Sequence, residues 1–365
     1  MPPCGFANLG RWETRVRPML CPGLRWAWRS PDTVQFGIDV PQPLIVAGLP
    51  SVGRRLLAEL DGVRTEQEIV AQLVADGGDA TNGADSAAVL AHLADLGVLV
   101  DGGHWPGRLP LASGLRERLE PDVRATSALE RWRREPAARW DALNRSRVTV
   151  AGVSRLGAVL GHSLAAAGVA RIELDDSRRV TSADVSLGGF APSDVGGRRA
   201  DLLLAHPEWS SGTPSNHVDR QLVVVTDAVE THPRCRSLAA DGTAHLVVSC
   251  HELIGRVGPL VRPGQSPCQF CLELARRDVD GGWPEVWRQQ CSHPTPDADA
   301  TLIAITAQVA ATHVLDWLSG GHPPSIGGFV EVAAPHAATT LRHLAQHPEC
   351  GCAWPESNQS LTMGG

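Results

Sequence analysis

The sequence predicts an α/β protein whose main sheet is preceded by a smaller domain, and three stretches carry that prediction. Arg147–Asp176 reads as strand, tight turn, helix and strand. Leu222–Asp227 is an unbroken apolar run closing in Thr-Asp, the pattern of a parallel strand buried on both faces. Residues 25–103 pattern as short strands followed by three short helices, a small winged-helix-like unit.

In the first stretch, Val148 and Val150 lead into Gly152, and Leu156, Val159, Leu160 and Leu164 then recur at helical spacing. Gly168 is placed to end that helix, and Ile172 and Leu174 begin a second strand closing at Asp175-Asp176. The turn Gly152-Val153-Ser154-Arg155-Leu156-Gly157 is a nucleotide-binding fingerprint with its middle glycine replaced by Ser154. Its glycines permit the turn and close backbone approach, the helix N-terminus attracts phosphate, and an acid after the second strand can take a ribose hydroxyl. The alternative for the same residues is a plain βαβ core unit.

Composition narrows the class. The 365 residues are enough for two domains, and a net charge of −7 supplies no general attraction to nucleic acid or an anionic membrane. Lys and Tyr are absent, so any cation a site needs must be arginine. The N-terminal MPPCGFANLGRWETRV lacks the apolar core of a signal peptide, and Leu302–Leu318, interrupted by Thr306, Gln308, Thr312, His313 and Asp316, reads as a buried amphipathic helix. Nine cysteines, two tight pairs among them, point to a reducing cytoplasm and a metal site instead of a disulfide scaffold.

Along the chain, residues 1–24 read as a lead-in. Trp26–Val46 suggests a hairpin with Val34, Phe36 and Ile38 on one face. Ser51 is a candidate cap for a helix carrying Leu56, Leu57 and Leu60, and Thr65 with Glu68 makes a capping box for the next. Ser86 is a candidate cap for the third, which carries Val89, Leu90, Leu93 and Leu96, has no arginine to meet phosphates, and so reads against a DNA-binding helix. Residues 104–146 form a linker, helical over Leu115–Leu143, whose Arg131, Arg133 and Arg134 are either a phosphate patch or a solvated helix face.

Further on, Cys268 and Cys271 in Pro263-Gly264-Gln265-Ser266-Pro267-Cys268-Gln269-Phe270-Cys271, with Cys350 and Cys352, supply four thiolates in two close pairs. That set suits a closed, tetrahedral, structural Zn²⁺. His293, His343 and His347 are alternative ligands, and Cys291 beside His293 is a candidate reactive thiol.

The turn GVSRLG followed by AAAGVARIELDD, with the later PG-x-x-x-C-x-x-C, resembles the ThiF/MoeB/HesA family of adenylyltransferases related to ubiquitin-activating enzymes. The resemblance spans Arg147 to Trp354 and implies a Rossmann-like, mostly parallel sheet over 147–354, a tail at 355–365, and a homodimer. It also implies ATP with Mg²⁺ on Gly152, Ser154, Gly157, Asp175, Asp176 and Asp227, with Asp227 and Arg199 as catalytic groups. Several family positions depart from the pattern: Asp184 stands where an asparagine belongs, Leu187 near an arginine position, and Arg199 on a lysine position. Losing one preorganised donor removes about 3–4 kcal/mol of barrier lowering, so two losses leave a degenerate site unless Arg155, Arg178 or Arg198 compensates.

The winged-helix-like unit at 25–103 resembles PqqD-like peptide-recognition modules, which add an extended leader peptide to a sheet edge. Together the resemblances imply a ThiF-type partner that binds a ribosomal precursor peptide and presents it to a YcaO-type cyclodehydratase. The alternatives are an active adenylyltransferase acting on the C-terminal carboxylate of a small sulfur-carrier protein or peptide, and a non-catalytic regulator. No nucleic acid or membrane partner is expected.

Overall fold

A computed structural model describes residues 16–40, 42–76, 80–103, 113–130, 136–206, 217–226, 231–290 and 298–353. The chain divides into two compact units at Asp141/Ala142.

The first unit contains β1 (Pro18–Leu20), β2 (Trp26–Ser30), β3 (Thr33–Phe36) and β4 (Leu44–Val46). These are followed by α1 (Gly53–Glu59), α2 (Glu66–Ala75), α3 (Ala80–Asp95), β5 (Leu99–Asp101), α4 (Ser113–Glu130) and the start of α5 (Pro136–Asn144). Strands β2, β3 and β4 form an antiparallel sheet with β3 in the middle. Val34, Phe36 and Val46 pack under Leu56, Leu57, Ile69, Leu73, Leu90 and Leu93 of the three helices. The hairpin is thus three-stranded, and β3 ends at Phe36, leaving Ile38 exposed instead of sharing the buried face. Residues 17–24 are more than a lead-in: β1 pairs with β5, and Cys21 and Leu24 join the core.

Two capping expectations are corrected. Helix α1 starts after Val52, which gives no side-chain cap, so Ser51 lies outside it. Ser86 is fully buried in the middle of α3, which begins at Ala80. The Thr65/Glu68 capping box is present, with Thr65 N donating to Glu68 Oε2 at 2.7 Å and Glu68 N donating to Thr65 Oγ1 at 3.3 Å.

The second unit holds a seven-stranded sheet. Its elements are β6 (Ser146–Ala151), α6 (Arg155–Ala166), β7 (Arg171–Asp175), α7 (Arg199–Leu204), β8 (Arg220–Val225), α8 (Thr231–Ala240), β9 (His245–His251) and β10 (Ile254–Val261). Then come α9 (Gln269–Val279), α10 (Trp283–Gln290), α11 (Ala300–Leu318), β11 (Gly328–Ala333) and β12 (Ala338–His343). The order β12-β11-β10-β9-β8-β6-β7 joins a parallel block, β7-β6-β8-β9, to three antiparallel strands. The sheet is therefore mixed, and the expected "mostly parallel" holds for the nucleotide-fold half.

Period-2 alternation assigns the helices to faces. Val223, Val225 and Val247 meet Cys235 of α8 on one face, while Cys250 on the other meets Thr306 of α11. Leu156, Leu160 and Leu164 of α6 are fully buried, each contributing about 1.5–3 kcal/mol of apolar burial. Helix α11 is the one described helix long and apolar enough to cross a membrane, with mean hydropathy 1.3. Leu302, Ile303, Ala307, Ala310, Ala311 and Val314 are buried inside the unit, where α11 packs on α6, β9 and β10. Of its small residues, Ala307, Ala310 and Ala311 are buried, while Ala304 is half-buried, as is Leu315.

Candidate functional site

The C-terminal ends of β6, β7 and β8 bring the glycine turn and the acids after β7 together. Strand β6 stops at Ala151 and the chain turns at Gly152, whose φ of +93° favours glycine. Gly152 N donates to Asp175 O at 3.1 Å. Gly157 sits where a Cβ would lie 2.1 Å from Gly152 O and 3.0 Å from Thr226 Oγ1, so only glycine lets α6 approach β6 and β8 this closely. Thr226 locks the turn by donating its hydroxyl to Gly152 O. Ser154 occupies the N-cap position of α6 without a side-chain capping bond.

Asp176 is the hub. Its side chain is 1 % exposed and accepts five donors. Oδ1 takes Arg178 N at 2.9 Å and Arg178 Nε at 2.8 Å; Oδ2 takes Val153 N at 2.7 Å, Arg178 Nη2 at 2.7 Å and Arg199 Nη1 at 3.1 Å. A carboxylate offers about four lone-pair sites, so nothing remains for a ribose hydroxyl. Burial opposes its ionisation, but the hydrogen bonds from Arg178 and Val153 and the Arg178 charge outweigh that and hold the carboxyl well below the usual range. Asp175 is exposed and ion-paired with Arg234.

Arg199, the first residue of α7, has a side chain only 8 % exposed. Its Nη2 reaches both oxygens of Asp184, at 2.8 and 2.7 Å, and its Nη1 reaches Asp176. Asp184, with a side chain 4 % exposed, also accepts Thr181 N at 2.8 Å and Thr181 Oγ1 at 2.7 Å. The cation on the expected phosphate-binding position is therefore neutralised by two buried carboxylates. Leu187 is 97 % exposed and supplies no group to the cluster. Arg178 lies on Asp176, and Arg155 Nη1 reaches Ala298 O at 3.4 Å. Asp227, Cys291 and His293 lie outside the described residues.

The sequence reading missed the pairing of Asp184 with Arg199. The available signal was the coincidence of an acid on an amide position with an arginine on a lysine position, which together spell an ion pair.

The second site is the cysteine cluster. Cys268 stands at the N-cap of α9 and Cys271 lies one turn on, while Cys350 and Cys352 come from the segment after β12. All four sulfurs fall within 4.8 Å of one another. The Sγ–Sγ distances are 3.9 Å for Cys268–Cys271, and 3.4 Å for Cys268–Cys350 and for Cys271–Cys352. Metal–sulfur bonds of about 2.3 Å in a tetrahedron span sulfur–sulfur edges of about 3.8 Å, so the cluster can hold a metal ion. Hydrogen bonding from Cys268 lowers the Cys271 thiol, whereas burial first, then contact with Cys271, raises Cys352. A bound cation would hold all four as thiolates. The His347 backbone N–H donates to Cys271 Sγ at 3.3 Å, while its imidazole Nε2 contacts Asp278 at 2.8 Å. His343 is exposed on β12. Burial raises the Cys235 thiol to about 12 and the Cys250 thiol to about 11, so neither is an activated nucleophile.

No protein-family model and no curated protein matches the chain. Solved structures do. E. coli MccB, determined with AMPCPP and its selenomethionine-labelled peptide MccA, superposes with a TM-score of 0.65 at 13% identity, covering 92% of this chain and 99% of MccB. The microcin C7 biosynthetic enzyme MccB with N-formylated MccA gives 0.66 at 12% identity over the same shares. The fold is that of the ThiF family. The heterocyclase TruD shares it, with a TM-score of 0.61 at 18% identity over 93% of this chain and 43% of TruD. These alignments take in residues of both units, and the sequence motifs implied a ThiF-type fold for the second.

Proposed function

We propose that this chain is a ThiF-type peptide-binding partner protein whose adenylation site has become a structural ion-pair cluster. It binds a ribosomal precursor peptide and presents it to a YcaO-type cyclodehydratase. The observation that carries this reading is Arg199 held between Asp176 and Asp184. A triphosphate entering at the turn would meet two buried carboxylates whose charge Arg199 already balances, and would have to displace them. ATP with Mg²⁺ therefore does not fit the described residues of this cluster.

The first unit supports the peptide half of the reading. Among the described residues, strands β2 and β4 each pair only with β3 and present an open edge, and Trp26 and Ile45 stand exposed on those strands. An extended peptide gains affinity from backbone pairing and selectivity from such side chains. Leu90 and Leu93 of α3 are core residues and are not available to a ligand; the peptide meets the Trp26 or Ile45 edge. That MccB was solved with a peptide and TruD is a heterocyclase agrees with a peptide substrate class. We further propose that Cys268, Cys271, Cys350 and Cys352 hold one structural Zn²⁺, and that the protein works as a cytoplasmic homodimer.

The test pairs two measurements on the full chain. Synthetic precursor peptides encoded beside the gene should bind without ATP and bind at least ten-fold more weakly to Trp26→Ala or Ile45→Glu. Pyrophosphate exchange with those peptides, or with Gly-Gly-ending carrier proteins, should stay at background. Robust, substrate-dependent exchange would establish the adenylyltransferase instead.

A further inference from the structure

The cysteine cluster has an internal pairing that a shared cation does not require. Cys268–Cys350 and Cys271–Cys352 stand at 3.4 Å, while the C-x-x-C pair Cys268–Cys271 stands at 3.9 Å. Each close pair joins the start of α9 to the segment after β12, across 82 and 81 residues of chain. Four cysteines allow three connectivities, and both of the 3.4 Å separations belong to the same one. Sulfurs 3.4 Å apart need to close by about 1.4 Å to reach a disulfide length.

Two further observations bear on what these pairs can do. The segment carrying Cys350 and Cys352 is docked by groups other than the sulfurs. Leu344 N donates to Gly327 O at 2.9 Å and Gln346 Nε2 to Ser266 O at 3.3 Å. His347 Nε2 contacts Asp278 Oδ2 at 2.8 Å, Arg277 Nη2 meets Glu349 Oε2 at 2.8 Å, and Gly264 and Ala353 form a β-bridge. Each contact is small alone, but together they hold the four sulfurs near one another whether or not a cation bridges them. Exposure is also divided within each pair: Cys350 and Cys352 are half-buried, and Cys268 and Cys271 are buried. A solvent-accessible thiolate beside a sheltered one is the arrangement of a reacting and a resolving sulfur.

We propose that the cluster is a peroxide-reactive site, in which a hydroperoxide converts the four thiolates into the disulfides Cys268–Cys350 and Cys271–Cys352 and so releases the cation. Release of a cation rests on the zinc reading above; the disulfide pairing does not. In each pair the half-buried thiolate, Cys350 or Cys352, attacks the hydroperoxide. The O–O bond breaks, the sulfur becomes a sulfenic acid, and the other oxygen leaves and takes a proton, as an alcohol or as water. The buried partner thiolate then attacks that sulfur, and the S–S bond forms as hydroxide leaves and is protonated to water. Each pair gives two electrons to one hydroperoxide. Disulfide sulfurs lack the charge that binds a divalent cation, and a dithiol reductant restores the thiolates. Because the disulfides join the same two segments as the cation, the C-terminal segment stays fastened to α9 in both states.

The experiment loads the full chain with zinc, adds hydrogen peroxide in slight excess and follows zinc with a chromogenic chelator. The bound zinc should be released, and dithiothreitol with added zinc should restore it. Remaining thiols are then blocked and the oxidised chain is digested with trypsin without reductant. Mass spectrometry should find peptide Val257–Arg276 joined to the peptide that starts at His343. Two double variants fix the connectivity. Cys271→Ser/Cys352→Ser keeps Cys268 with Cys350 and should cross-link, whereas Cys271→Ser/Cys350→Ser keeps Cys268 with Cys352 and should cross-link at least ten-fold more slowly. Circular dichroism verifies that both fold, and the wild-type peptide map decides independently of them. Cys268–Cys271 or Cys350–Cys352 as the main product overturns the proposal, as do sulfinic acids in place of disulfides. Zinc bound in the untreated chain but no cross-link after peroxide overturns it while leaving the metal reading intact. A chain that takes up no zinc yet forms both cross-links sustains the disulfide pairing and removes the metal reading.

Discussion

Replacing Arg199 with methionine tests whether the glycine-turn cluster is structural. The change keeps much of the apolar stem and removes the guanidinium that spans Asp176 and Asp184. Asp176 keeps Arg178 and the Val153 amide, so the loss falls mainly on Asp184, a carboxylate 4 % exposed that is left with Thr181 alone. Breaking a buried pair by removing one partner costs about 3–5 kcal/mol, because the remaining charge is uncompensated. For a unit of this size each 1 kcal/mol moves the midpoint by roughly 2–4 °C, giving a drop of roughly 6–20 °C. Adding Asp184→Asn to Arg199→Met removes the stranded charge and should recover part of the loss, with a coupling of about 0.5–3 kcal/mol. Thermal unfolding followed by circular dichroism at pH 7 reads all three variants. An Arg199→Met protein melting within 2 °C of wild type would refute the structural role. So would a double mutant no more stable than the single.

Three further outcomes follow from the same geometry. Millimolar Mg·ATP should leave the melting temperature unchanged; a site occupied at 100 times its Kd would instead add about 2.7 kcal/mol, an unmistakable upward shift. Metal-replete protein should contain about one zinc per chain by elemental analysis, and Cys268→Ser should release it and lower the melting temperature, whereas a full zinc complement in Cys268→Ser would refute the ligand set. The carboxyl of Asp176 is depressed on folding, so its contribution is fully present above the unfolded value near 3.9 and drains away as pH falls below it. Denaturant unfolding from pH 6 to pH 2.5 should therefore show Asp176→Asn closing its gap to wild type below about pH 4, and a constant gap would contradict the assignment.

How legible all this was in the sequence depended on the range of the interaction. Arg147–Asp176 was readable because a buried strand, a glycine turn and an apolar helical stripe are local patterns, and all three elements stand where the spacing put them. The four cysteines were readable for another reason: thiolate pairs at C-x-x-C and C-x-C spacing have few uses other than a shared cation. The antiparallel strands β10, β11 and β12 were not read, since nothing local in Ile254–Val261 or Ala338–His343 states which neighbour each will take. Ser51 and Ser86 failed as caps because a capping residue is chosen by where the helix starts, and core packing of Val52 and Ser86 decided that.

The glycine-turn cluster shows what single positions leave open and a pair does not. Taken alone, Arg199 reads as a retained cation and Asp184 as a lost amide, which leaves the site's fate open. In the folded chain they are one interaction of 2.7–2.8 Å, and its second carboxylate, Asp176, also holds the Val153 amide of the turn. A charge that would serve a phosphate must be available when the phosphate arrives. Here its two carboxylates are supplied by the protein itself, from residues 23 and 15 positions away in the chain. On the proposed reading, the Asp176 carboxylate that holds the Val153 amide of the turn also occupies the Arg199 charge a nucleotide would need. Restoring an amide at Asp184 and an ammonium at Arg199 would free one charge without disturbing Gly152, Gly157 or Thr226. Asp184→Asn/Arg199→Lys should accordingly gain a Mg·ATP-dependent rise in melting temperature that wild type lacks. If the double variant folds with its wild-type spectrum and still gives no rise, the ion pair is not what keeps nucleotide out, and the missing groups lie elsewhere around the turn.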